Sequence, residues 1–119
     1  MKSLFLFSII LVLLGCATYK NHTQPIQSFT VSFYSPGNGI NQEAKKAYDT
    51  FLTEKYAKLQ FETILWGREG EIDYCFSSIS LSEKNKTRFI QETNDLLSKY
   101  DRINIIENEE CRKGLNLPK

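Results

Sequence analysis

The segment whose residue types come nearest to a ligand site is Ser35-Pro36-Gly37-Asn38-Gly39-Ile40-Asn41, a glycine turn placed to open a helix. Backbone N–H groups in such a turn can hold a phosphate or a carboxylate. Gly37, Asn38, Gly39 and Asn41 are therefore a candidate anion-binding turn, although no lysine stands beside them and a tight strand-to-helix turn would use the same residues. Three carboxylates, Glu69, Glu71 and Asp73, bracket a later turn and could imitate a calcium site or an acid/base pair. Strand alternation instead places Glu71 and Asp73 on a solvent-facing side beside Trp66 and Ile64, without a full set of oxygen ligands. Glu107, Glu109 and Glu110 read as a solvated strand end that could meet a basic partner.

Ser-His-acid hydrolysis needs a histidine held by a rigid shell. The single histidine, His22, falls in a polar segment near the start. No GxSxG elbow, HExxH pair, P-loop or EF-hand loop is present. Three cysteines with that one histidine do not compose a metal site. The expectation is a protein that is not an enzyme and has no catalytic residues, metal or cofactor.

Those side chains must be positioned by something, and the hydropathy pattern supplies it. Phe29, Val31 and Phe33 alternate with Thr30, Ser32 and Tyr34, which predicts a strand with one apolar face. Asn41 is placed to cap a helix from Gln42 to about Tyr56, whose stripe comprises Ala44, Ala47, Tyr48, Phe51 and Leu52. A hairpin follows: residues 59–66, a turn at 67–70, then 71–77. Pairing Trp66 with Glu71 sets Leu65 opposite Ile72, Thr63 opposite Tyr74 and Phe61 opposite Phe76, gathering apolar side chains on one face. Ser80 or Ser82 caps a second helix to about Lys99, with Phe89, Ile90, Thr93, Leu96 and Leu97 in its stripe. A last strand spans about 102–107.

The order β-α-β-β-α-β predicts an α+β, ferredoxin-like two-layer sandwich. Right-handed crossovers put both helices on one face of an antiparallel sheet with spatial order 4-1-3-2. A different two-layer order or a swapped dimer could use the same elements. The open face would carry Ser32, Tyr34, Ile64, Trp66, Asp73, Cys75 and Ile106. Either the tail, with Leu115 and Leu117, covers it, or Tyr34, Trp66 and Asp73 form a binding surface, with carbohydrate stacking on Trp66 as one form.

The start of the chain has a separate logic. Met1-Lys2-Ser3 is short and basic, and residues 4–14 are apolar apart from Ser8. Such a run rises only about 16 Å as a helix against a hydrocarbon core of about 30 Å, so it reads as a signal peptide rather than a permanent span. It ends at Leu13-Leu14-Gly15-Cys16-Ala17, which resembles the lipobox of bacterial lipoproteins. The resemblance implies cleavage between Gly15 and Cys16, lipid on the Cys16 thiol and acylation (palmitate or a similar chain) at the new amino terminus. An ordinary secretory signal with an incidental cysteine is the competing reading. With Ala17 rather than aspartate after the cysteine, the resemblance implies a lipid anchor in the bacterial cell envelope, with the outer membrane favoured in an organism that has one. The expected organisation is a signal peptide over 1–15, a lipidated tether over 16–27 and one domain over 28–119.

An exported domain can keep a disulfide, and Cys75 and Cys111 are the two cysteines left to form one. A tail folded back over the open face would bring them together; unconnected thiols are the alternative, and no C-x-x-C spacing suggests a redox pair. The chain has 15 basic and 14 acidic side chains, and loss of Lys2 makes the counts level, so no bulk basic excess suits nucleic acid. The expected partners are the lipid bilayer, through acylated Cys16, and an envelope protein. The favoured function is a tethered binding or accessory protein. The alternatives are an envelope inhibitor or immunity protein using the acidic hairpin, and a small carrier or enzyme using the glycine turn. Replacing Cys16 with serine should release the protein from the membrane fraction, and intact mass should show an acylated amino-terminal cysteine only in the parent protein.

Overall fold

Alternation and helical stripes resolve into six elements: β1 (Phe29–Phe33), α1 (Gln42–Lys55), β2 (Glu62–Leu65), β3 (Ile72–Phe76), α2 (Glu83–Leu97) and β4 (Ile103–Glu107). This computed structural model describes residues 25–114. The lipobox with Cys16, His22 and the tail residues Leu115 and Leu117 lie outside the described residues. The strands form one antiparallel sheet in the order β2-β3-β1-β4, with both helices packed on one face. This is the ferredoxin-like arrangement that the element order predicts.

Local chemistry sets the helix starts. Asn41 Oδ1 accepts from the Ala44 N–H at 3.0 Å, and Glu43 lies in the first turn, where the helix dipole favours a carboxylate. Ser82, not Ser80, caps α2 by accepting from the Asn85 N–H at 3.3 Å. The hairpin keeps the expected register, with Leu65 opposite Ile72 and Thr63 opposite Tyr74. The Trp66 N–H donates to the Glu71 carbonyl at 3.2 Å and closes the ladder.

The core between sheet and helices is largely aromatic. Phe29, Phe33, Tyr74 and Phe76 from the central strands meet Tyr48 of α1 and Phe89 of α2, all fully or almost fully buried. Phe89 lies edge-on to Phe76 at 5.1 Å and to Phe29 at 5.8 Å, while Tyr48 and Phe33 both approach Tyr74 at 5.5 Å. Edge contacts of this kind add to the stabilisation from burial alone. Burial raises the Tyr48 and Tyr74 hydroxyls above the usual tyrosine range, and for Tyr74 the hydrogen bond to Asp49 raises it further.

Two expectations are corrected. The hairpin register gathers Phe61 and Leu65 on the apolar face, but that face is not covered there: they are 39% and 61% exposed. The cause is the seat of α1, whose Tyr48 packs on Phe33 and Tyr74 of the central strands, so the edge strand β2 keeps an uncovered helix-side flank. Glu71 and Asp73, expected toward solvent, are buried at 8% and 2% exposure. Phe51 is only half-buried, stacked 6.4 Å from Phe89. The substitution Phe89→Ala should therefore cost roughly 3 to 5 kcal/mol as a buried large-to-small change, and Phe51→Ala clearly less. Urea denaturation midpoints measure both, and equal losses would show the helix faces to be misassigned.

Candidate functional site

The sheet face without helices is closed by the chain's own tail. After β4, Asn108 adopts a left-handed backbone (φ 57°), which asparagine tolerates better than most residues, and the chain turns back. The Asn108 side chain accepts from the Gln27 N–H at 2.8 Å, and the Ser28 hydroxyl donates to the Glu109 carbonyl at 3.1 Å. The tail thus crosses the start of β1. Cys111 then forms a disulfide with Cys75 in β3, with Cα atoms 5.9 Å apart. Beyond it Arg112 lies over the Trp66 ring at 4.0 Å, and the chain passes near enough to β2 that a Cβ at Gly114 would touch the side chain of Ile64.

Under this strap sits Asp73. Its Oδ1 accepts from the Ser32 hydroxyl at 2.5 Å and from Trp66 Nε1 at 2.8 Å, and its Oδ2 accepts from Arg112 Nε at 3.2 Å. A buried carboxylate is tolerated when it is paired and hydrogen-bonded in this way. Thr30, also buried, donates to the Cys75 sulfur at 3.4 Å. Of the three residues expected to form an open binding surface, Asp73 is enclosed, Trp66 is half-covered by Arg112, and Tyr34 is half-buried at the end of β1. The three are not gathered into one exposed patch.

The glycine turn is also engaged from within. Ser35 Oγ accepts from the Gly37 and Gly39 N–H groups at 3.1 and 2.8 Å, and the Glu69 carboxylate accepts from the Ser35 hydroxyl and, at 3.4 Å, from the Gly39 N–H. The anion that this turn holds is thus Glu69, carried over from the hairpin. Arg102 fastens the other side, donating to the Gly39 carbonyl at 2.8 Å and to the Asn38 side chain at 3.3 Å. Asn41 caps α1 with its oxygen and donates through Nδ2 to Asp101 at 2.8 Å, which holds the Asp101 carboxyl below its usual range. In the hairpin, Glu71 accepts from the Glu69 N–H at 2.8 Å. Its carboxylate lies so close to Gly67 that a Cβ there would overlap it. Of the hairpin carboxylates, Glu71 therefore holds the hairpin's own loop while Glu69 holds the glycine turn, and Glu107 at the end of β4 with Glu109 and Glu110 beyond it stand exposed.

On the helix side, Phe61 and Leu65 are the exposed large apolar side chains among the described residues. Phe61 still leans on Tyr74 and Phe76, with ring centroids 5.6 and 5.1 Å away. It also borders a cavity of about 310 Å³ lined by Asp49, Leu52, Thr53, Tyr56 and Ala57 of the α1 end. Among the described residues no group of three or more His, Cys, Asp or Glu is arranged to hold a metal, and no helix is long and apolar enough to cross a membrane.

No protein-family model, curated protein or solved structure matches this chain. Sequence reasoning did not single out Arg112, which completes the Asp73 pair and lies over Trp66. Its signal was its place next to Cys111, since joining Cys111 to Cys75 carries residue 112 toward β2. Exposure of Leu65 had no local signal, because it depends on where α1 sits. Reduction of the disulfide should lower stability by about 4 kcal/mol in the chain-entropy account of a link separated by 36 residues. Trp66 is the single tryptophan, so its emission should shift to the red at the same time if Arg112 leaves the ring. An unchanged midpoint after full reduction would show that the strap holds without its covalent link.

Proposed function

We propose that this protein is a lipid-anchored lipoprotein of the bacterial cell envelope that acts by protein contact. Its contact surface is the outer edge of β2 with the apolar flank of Phe61 and Leu65. The observation that carries this reading is the exposure of those two side chains, 39% and 61%, beside an edge strand. Contiguous exposed apolar surface next to unpaired strand groups is a common basis for recognition, through main-chain bonds for affinity and side-chain contacts for selectivity. The anchor comes from the resemblance of Leu13-Leu14-Gly15-Cys16 to a lipobox. Membrane residence, lipidation and a protein partner are parts of the same proposal.

The other functional readings have less support. An inhibitor working through its acidic hairpin would need Glu69, Glu71 and Asp73 free, and each is engaged within the chain. A carrier or enzyme built on the glycine turn would need the Gly39 N–H that Ser35 and Glu69 already share.

A photo-reactive phenylalanine analogue in place of Leu65, in the lipidated full chain in its own membranes, should give a protein adduct on illumination. The same analogue in place of Lys84, exposed on α2, should give little. Absence of any adduct from position 65 would overturn the proposed contact surface.

A further inference from the structure

Backbone geometry determines which groups of β2 remain available. The Trp66–Glu71 pair is hydrogen-bonded, so in an antiparallel ladder Ile64 and Glu62 also turn their N–H and C=O groups toward β3. Thr63 and Leu65, and Phe61 by continuation of the same alternation, turn theirs outward. The same three side chains lie on the helix face, and Phe61 and Leu65 are its exposed apolar members. Among the described residues, the outward hydrogen-bonding groups without a partner and the exposed apolar surface therefore belong to the same residues.

We infer that the edge of β2 pairs with β2 of a second copy of this chain, antiparallel and two-fold symmetric about Thr63. The inference rests on the proposed contact surface and names its partner. In this register Thr63 meets its own counterpart as a hydrogen-bonded pair, and Phe61 meets Leu65 of the second copy. Both outward backbone groups of all three residues are then satisfied. Each exposed apolar side chain gains an apolar neighbour across the junction, the aromatic-aliphatic pairing that stabilises sheets. The one charge in the segment, Glu62, faces Ile64 of the copy rather than its own counterpart.

Sliding the register by one step about Ile64 would leave Phe61 opposite Gly67 and lose this match. The two-fold axis runs through the sheet, so both helix layers stay on one side and both tail straps on the other. A four-residue edge makes a weak contact in dilute solution, and confinement of both copies to one membrane raises their effective concentration.

The test places single cysteines in the full lipidated chain, in membranes, under mild oxidation. Cys75 and Cys111 are paired with each other, and the proposal has Cys16 lipidated, so the new thiol is the reactive one. Thr63→Cys should give a disulfide-linked species of twice the chain mass, because a hydrogen-bonded antiparallel pair sets Cα atoms about 5.5 Å apart, within disulfide range. Leu65→Cys should give about tenfold less, since its counterpart lies some four residues, about 13 Å, along the strand. Adding Leu65→Lys to Thr63→Cys should remove most of the linked species. Unshifted Trp66 emission verifies that each variant is folded.

If the Leu65 photo-adduct contains a different protein and Thr63→Cys does not link, self-pairing is overturned while the contact surface stands. If no adduct forms at all, the surface itself falls. Equal linkage from positions 63 and 65 would mean chance collision and would also overturn the register.

Discussion

The strap from Asn108 to Gly114 is the constraint on which the sheet depends. A four-stranded sheet with helices on one face leaves the other face open, and here that face carries Thr30, Ser32, Asp73 and Cys75, none able to form an apolar core. The tail resolves this by combining a covalent link with an ion pair. Cys111 fixes the crossing over β3, and Arg112 brings a charge-assisted hydrogen bond to a carboxylate that would otherwise be buried at large cost. Both central strands consequently read as buried along their whole length, although only alternate residues face the helices. The link also decides what Trp66 can do, since its ring N–H donates to Asp73 and its face is covered by Arg112.

A second dependence runs through the loops at one end of the sheet. Glu69 leaves the hairpin to hold Ser35 and the Gly39 amide, and Arg102 reaches the same turn from the approach to β4. Arg102 itself has a left-handed backbone (φ 62°), a conformation costly for an arginine. Its bonds to Gly39 and Asn38 compensate for that conformation. The polar chemistry that could suggest a ligand site is in this way consumed in tying β1, the hairpin and β4 together. Acidic and glycine-rich residues that look functional in a sequence are here mostly loop fasteners.

Much of this fold was legible because its signals are local. Period-two alternation located β1, period-3.6 stripes located both helices, Asn41 announced its cap, and Trp66 to Glu71 fixed the hairpin register. The disulfide was legible one level higher, from the strand order together with the expectation of an exported chain. What escaped were properties of assembled surfaces. Alternation showed that Phe61 and Leu65 share a face with Tyr74, but not that α1 would stop at the central strands. It likewise placed Asp73 opposite the helices, but burial there depended on a tail whose path no period describes.

The two edges of the sheet are not equivalent, and the difference bears on how the protein avoids uncontrolled association. Exposed strand edges invite pairing, and natural sheets blunt them with charge, brevity or irregular backbone. At the β4 edge the strand ends in Glu107 and passes at once into the left-handed Asn108 and an acidic, exposed segment. At the β2 edge only Glu62 carries charge, and the strand is just four residues long. Lys58 and Arg68 flank that short run and stand opposite each other in the register centred on Thr63, so lengthening the pairing beyond the short strand would set like charges against each other. Brevity and flanking charge therefore allow one defined pairing at β2 and oppose extended ones. An edge of this kind is suited to the proposed pairing between two copies, which closes on itself and does not propagate into fibres.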